Sequence, residues 1–281
     1  MNMIDISKID YSALDRPEVL AFLFHPRPEW GPGGSKGPAH DVLMPVEDDL
    51  MIGGRFHINQ KTAPNILFFH GNGEIAADYD DLGPIYNGMG MNFMVVDYRG
   101  YGRSTGRPTI TAMMRDCHFI FSFVTNWLEE KGHSGPLIVM GRSLGSASAL
   151  ELAFHYRDQL DGLIVESGFA WSIALLRRLG MDPKDMGFEE KQGFENVDKA
   201  RFFDRPTLII HAEQDHIIPF SDGQALYENC GSTEKTFLTI PGANHNDIFL
   251  KGFSEYMREV KTLAEKIERQ RGLSAADISG T

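Results

Sequence analysis

The chain of 281 residues is long enough for one large domain, and its hydrophobic fraction of 42% and charged fraction of 23% are those of an ordinary globular protein. A formal net charge of -12 argues against a nucleic-acid-binding surface or a polybasic membrane patch, because both need clustered Lys and Arg to neutralise phosphates. With only two cysteines, Cys117 and Cys230, in no CxxC pattern, neither a disulfide framework nor a thiolate metal site is expected.

The first twenty residues, MNMIDISKIDYSALDRPEVL, place acids among apolar residues and lack the basic start and unbroken apolar run of a secretory signal. No stretch approaches the roughly 18 apolar residues that cross a bilayer. These features predict a soluble, cytoplasmic protein without stable membrane insertion. Residues 1–40 read as an extension ahead of one domain filling the rest of the chain, and WGPGGSKGP at 30–38 reads as a plain Gly/Pro-rich loop.

From residue 41 onward short aliphatic runs alternate with longer segments of helical spacing. DVLMPVE and LMIGGRFHI look like a strand pair joined at Asp48-Asp49. NILFFH, NFMVVD, PLIVMG, DGLIVES, PTLIIH and KTFLTIP follow, short aliphatic runs bounded by Gly, Pro or Asn. Apolar runs without alternation suit strands buried on both faces. The clearest helices are expected at 109–130, 143–156 and 253–267, the last carrying an i, i+3, i+4, i+7 apolar stripe. This order predicts an α/β fold with a mostly parallel central sheet flanked by helices. Residues 168–205 interrupt the alternation and are expected to form a small lid or cap, and the small, polar end after Gly272 is expected to fray.

Gly141-Arg142-Ser143-Leu144-Gly145 matches G-x-S-x-G, with an apolar run before it and a helix-forming run after it. A sharp strand-to-helix turn would hold the Ser143 hydroxyl out as a nucleophile. A serine needs a histidine to take its proton, and that histidine needs an acid to fix its tautomer. Asp215 follows the PTLIIH strand and His245 follows KTFLTIP, so the order Ser, Asp, His runs along the chain. Glu166, ending DGLIVES, is the alternative acid, and Asp247 reads as a loop residue. Phe69-His70-Gly71-Asn72-Gly73 supplies backbone N–H groups that could receive an oxyanion. Asn72 is the first candidate donor with Gly73 the alternative, Leu144 is the second donor, and His70 is a scaffold residue.

With these motifs in place the chain resembles the α/β-hydrolase family over about residues 41–270, through HGNG at 70–73, DYRGYGRSTG at 97–106, GRSLGS at 141–146, the Asp215 loop and PGANHND at 241–247. It is similar in particular to small serine hydrolases of the protein-depalmitoylase and serine-aminopeptidase kinds. The resemblance implies a Ser143-His245-Asp215 triad, an oxyanion hole at Asn72 and Leu144, and structural roles for Arg99 and Tyr101. The apparatus carries out acyl transfer to serine and then hydrolysis, and the first expectation is a small-molecule ester or thioester substrate with a medium acyl group.

Phe169, Trp171 and Leu175 are the candidate lining of an acyl pocket, and Arg142, Arg177 and Arg178 could meet an anionic group on the substrate. A peptidase or amidase using the same triad remains an alternative, with Asp185, Glu189 and Glu190 available to grip an amine, and so does a catalytically silent binding protein of the same fold. No metal and no cofactor is expected, since no HExxH accompanies His211 and His216. Oligomeric state is left open.

Overall fold

The computed structural model describes residues 4–29 and 39–279. The Gly/Pro-rich stretch at 30–38 lies outside the described residues. Eight strands form one sheet: β1 (Ala39–Pro45), β2 (Met51–His57), β3 (Asn65–Phe69), β4 (Asn92–Val96), β5 (Leu137–Arg142), β6 (Gly162–Glu166), β7 (Thr207–Ala212) and β8 (Lys235–Ile240). Their spatial order is β1-β2-β4-β3-β5-β6-β7-β8. β2 runs antiparallel to both β1 and β4, while β3 to β8 are mutually parallel. All eight strands expected from the sequence are present.

Alternation along each parallel strand explains why these runs are apolar throughout. Leu67 and Phe69 of β3, Leu137 and Val139 of β5, and Leu163 and Val165 of β6 enter one core. Ile66, Phe68, Ile138, Met140 and Ile164 enter a second core on the opposite face. Side chains of a strand point alternately to either side, so a sheet covered on both faces has no polar position to spare. Each large side chain removed from water contributes about 1.5–3 kcal/mol.

Eight α-helices are found among the described residues: α1 (Pro17–Leu23), α2 (Gly83–Gly88), α3 (Ile110–Glu130), α4 (Gly145–His155), α5 (Ser172–Arg178), α6 (Asn196–Phe202), α7 (Phe220–Asn229) and α8 (Ile248–Ser279). Thr109 caps α3 by accepting from the Ala112 N–H, and Asp15 of the N-terminal segment accepts from the Ile110 N–H at 2.6 Å. α4 begins two residues later than its spacing suggested, because Ser143 is left-handed at φ 51° and cannot be helical. α8 begins five residues earlier than expected, with a break at Gly252, where an added Cβ would lie 2.6 Å from Ile240. It also continues past Gly272, where the sequence suggested a frayed end. Among the described residues no helix is long and apolar enough to cross a membrane.

Residues 168–205 contribute two short helices, α5 and α6, with Phe169, Leu176 and Phe194 in the first core. The N-terminal segment packs there as well, through Tyr11, Leu14, Val19, Leu23 and Phe24.

Candidate active site

The parallel register sends the loops after β3, β5, β6, β7 and β8 out at one edge of the sheet, the usual place for a ligand crevice in an α/β fold. Ser143 stands one residue beyond β5. Its left-handed backbone is costly for any residue with a Cβ, by about 1–3 kcal/mol, and the two glycines make the turn possible. A Cβ on Gly141 would sit 2.2 Å from the Gly145 carbonyl oxygen, and one on Gly145 would sit 2.1 Å from that of Phe69. The glycine spacing is thus a packing requirement: α4 starts hard against β3 and β5, and the serine is lifted at the tip.

His245 lies in the loop after β8, with Nε2 2.9 Å from Ser143 Oγ and Nδ1 2.7 Å from Asp215 Oδ2. Asp215 is itself fixed, since its other oxygen accepts from the backbone N–H groups of Ile217 at 2.9 Å and Ile218 at 2.8 Å. Burial works against its charge, but the hydrogen bond from His245 and the backbone donors outweigh it and hold the carboxyl below its ordinary range. Asp247 organises the histidine loop by accepting from the Asn244 N–H at 2.7 Å.

Glu166, the alternative acid, points elsewhere. Its carboxylate takes Arg142 Nε at 3.0 Å and the Tyr256 hydroxyl at 2.7 Å, and burial raises its pKa. Arg142 is correspondingly committed: it pairs with Glu74 and Glu166, and its Nη2 donates to the His245 carbonyl at 2.9 Å. Burial disfavours the guanidinium charge, yet the two carboxylates outweigh that cost and keep it protonated. Arg142 is therefore spent on holding the histidine loop and is not turned to a substrate anion. Arg177 and Arg178 are exposed.

The loop after β3 is held from both sides. His70 is fully buried, between the Gly71 carbonyl at 2.8 Å and Asp97 at 3.3 Å, and its own carbonyl accepts from the Tyr98 hydroxyl. The Asn72 side chain accepts from the Tyr101 hydroxyl at 2.7 Å and the His25 N–H at 2.8 Å, which ties the N-terminal segment to this loop. Arg99 makes a two-pronged pair with Asp116. Among the described residues, no group accepts from the backbone N–H of Asn72 or of Leu144.

A cavity of about 90 Å³ opens at the serine, lined by Phe22, Leu23, Asn72, Ser143, Leu144, Phe169, Leu175, Leu179, Ile217 and Ile218. Phe169 and Leu175 were expected there. Trp171 is not among the lining residues; it begins the turn into α5 and is 39% exposed. Phe22 and Leu23 of α1 were missed, because nothing in the local spacing of PEVLAFL says which remote loop it will cover. A larger cavity of about 380 Å³, with Glu74, Asp81, Phe249 and Phe253 in its wall, has none of Ser143, Asp215 or His245 in its lining.

A serine at a strand-to-helix elbow, with an acid and a histidine following on later loops at the same edge of an eight-stranded, mostly parallel sheet, defines the class of α/β-hydrolases. Within that class the chain belongs to the hydrolase family described as serine aminopeptidase, S33, whose sequence pattern matches residues 60–180 and 193–250. The interruption at 181–192 falls inside the segment that walls the cavity.

The chain is 31% identical over 204 residues to alpha/beta hydrolase domain-containing protein 17B of Homo sapiens, a match covering 70% of this chain and 64% of that relative. It is 26% identical over 251 residues to an uncharacterized membrane protein of Saccharomyces cerevisiae, covering 83% of this chain and 86% of the relative. In fold it is similar to an esterase of Pyrococcus furiosus, with TM-score 0.69, 17% identity, and coverage of 86% of this chain and 98% of that one. It is similar also to a soluble variant of monoglyceride lipase from Saccharomyces cerevisiae, with TM-score 0.65, 19% identity, and coverage of 84% and 97%.

Proposed function

We propose that the protein is a serine hydrolase that cleaves a carboxylic ester or thioester through an acyl-enzyme on Ser143. The observation that carries this reading is the continuous line from Ser143 Oγ through His245 to Asp215, with steps of 2.9 and 2.7 Å. With the proton on Nδ1, His245 donates to Asp215, and its Nε2 is free to accept the serine proton as Oγ attacks the carbonyl carbon. The imidazolium so formed is stabilised by Asp215 and returns the proton to the leaving alkoxide or thiolate. Water, deprotonated by the same nitrogen, then hydrolyses the acyl-enzyme. The unpartnered N–H groups of Asn72 and Leu144 are the donors assigned to the developing oxyanion, a contribution of about 2.7–4 kcal/mol for a donor of this kind.

The acyl group enters the cavity between α1 and the 168–205 segment, which acts as a lid on a single hydrolase domain. The cavity is lined mainly by apolar side chains, Phe22, Leu23, Phe169, Leu175 and Leu179 among them, which suits the medium acyl group expected from the sequence. The test is an acyl series from acetyl to palmitoyl on aryl ester and thioester leaving groups, with fluorophosphonate labelling of wild type and Ser143→Ala. Turnover highest for the medium chains and labelling confined to Ser143 are expected. Absence of labelling in folded wild type would favour the silent binding protein.

Amide cleavage is the second reading, favoured by the description of the matched family. Two of the three acids suggested for gripping an amine are otherwise engaged: Glu190 accepts from the Ser172 and Ile173 N–H groups at the start of α5, and Glu189 pairs with Lys191. Aminoacyl arylamides turned over faster than matched aryl esters would move the assignment to the second reading.

A further inference from the structure

On the face of the sheet opposite α8, three side chains not used by the proposed reaction converge. His118 on α3 meets Glu151 and His155, one turn apart on α4, and one ligand atom from each lies within 4.8 Å of the other two. Among the described residues it is the single such group of histidines, cysteines and acids. We propose that these three residues bind one divalent transition cation, with zinc as the best fit.

The distances carry the argument. Both imidazole Nε2 atoms lie 3.3 Å from the same oxygen, Glu151 Oε1. Charge-assisted hydrogen bonds between imidazole and carboxylate are commonly about 2.7–2.9 Å, and 3.3 Å is a long one, as it is between His70 and Asp97. The value of 3.3 Å also matches the edge of a tetrahedron whose arms are about 2.0–2.1 Å, since the edge is about 1.6 times the arm, and those arms are zinc-to-nitrogen and zinc-to-carboxylate lengths, while the two imidazole nitrogens lie within 4.8 Å of each other. Two imidazoles and one carboxylate favour zinc, cobalt or nickel over magnesium or calcium, which take oxygen ligands.

The outer contacts are those a metal ligand set needs. His118 Nδ1 is 3.0 Å from the Tyr156 hydroxyl, which fixes the ring with Nε2 turned to the site. The second Glu151 oxygen is held by Lys199 of α6 at 2.5 Å, leaving Oε1 for the cation, and Lys199 also donates to the Tyr11 hydroxyl at 3.0 Å. The His155 side chain is 28% exposed, which gives a path for entry and a place for solvent as the fourth ligand. An ammonium this close weakens the pull on a dication, so the site binds less tightly than one with four protein ligands.

Glu151 lies six residues, about 9 Å of helix, beyond the start of α4, with Ser143 two residues before that start, so the cation takes no part in acyl transfer. Its effect is mechanical. It joins α3 to α4 and, through Glu151 and Lys199, reaches α6 at the end of the cavity wall and Tyr11 of the N-terminal segment.

The experiment is titration of the chelator-treated full chain with zinc chloride by calorimetry, and with cobalt chloride by visible absorption, alongside thermal melts. One equivalent, a tetrahedral cobalt spectrum and a rise in Tm with zinc are expected for wild type. His155→Ala, a change at the surface that leaves the helix intact, and His118→Gln are expected to weaken binding at least tenfold, while the control His40→Ala, remote on β1, leaves it unchanged. Failure of wild type to bind one equivalent, or binding in His155→Ala equal to wild type, overturns the proposal and leaves Glu151 as a hydrogen-bonded ion pair with Lys199.

Discussion

The strand ends and the walls that face them are built on different principles. At the strand ends, Ser143, Asp215 and His245 stand one, three and five residues beyond their strands; Ser143 donates its N–H to the Glu166 carbonyl and Asp215 its N–H to the Ala212 carbonyl, while Arg142 and Asp247 hold the His245 loop. The walls come from α1 and the 168–205 segment, 120 or more residues from one another in the chain, and are placed by side-chain packing and by ties such as Asn72 to His25. Chemistry is thus assigned to the rigid edge, and selectivity to the part that only long-range packing positions.

That division can be tested from the largest effect downward. Ser143→Ala is expected to lower kcat by on the order of 10⁵ to 10⁶ with little change in stability, and ester turnover in a preparation checked for wild-type carry-over measures it. Residual activity within tenfold of wild type would remove Ser143 from the reaction. Asp215→Asn keeps the shape but reverses the preferred histidine tautomer, and a loss of about 10⁴ in kcat is expected.

Asp215 also makes a pH prediction. Its folded pKa is depressed, so its contribution to stability is present above its unfolded value of about 3.9 and is lost as the pH falls through the folded value. Urea midpoints of wild type should therefore fall towards those of Asp215→Asn as the pH drops from about 6 to 3. A constant gap over that range would contradict the assigned hydrogen bonding.

Arg142→Met and Lys199→Met compare the two buried ion-pair networks, one on each face of the sheet. Each leaves a buried carboxylate without its cation, at a cost of about 3–5 kcal/mol in the denaturant midpoint. Only Arg142 holds the His245 carbonyl, so only its loss should also lower kcat of the folded fraction, by up to about 10². Equal effects on kcat would break the distinction between them. Smallest are the wall changes: Phe22→Ala should raise KM by less than about tenfold for the preferred ester, the worth of part of one aromatic contact. Trp171→Ala should leave KM within about twofold. If the two were reversed, the cavity as drawn would not be the acyl site.

Much of the edge was legible in the sequence because its determinants are local. Uninterrupted aliphatic runs mark strands covered on both faces, and a serine between glycines marks a left-handed turn against which a helix packs. The roles of Glu166 and Arg142 were not legible, since both end strands at the expected edge and only the register of β5 on β6, Arg142 opposite Glu166, turns them toward each other. Trp171 is expected in the acyl pocket as an apolar residue of the 168–205 segment, and the direction of a side chain at the mouth of a short helix is settled by what that helix packs on.

By itself the sequence determined the strand succession, the elbow and the chain order of serine, acid and histidine, because strand periodicity and backbone sterics act over a few residues. The tertiary structure alone decided that α1 covers the serine, that Arg142 holds the histidine loop, and that His118 meets Glu151 and His155. Those contacts join segments separated by tens to more than a hundred residues, and only the packed cores on the two faces of the sheet set their distances.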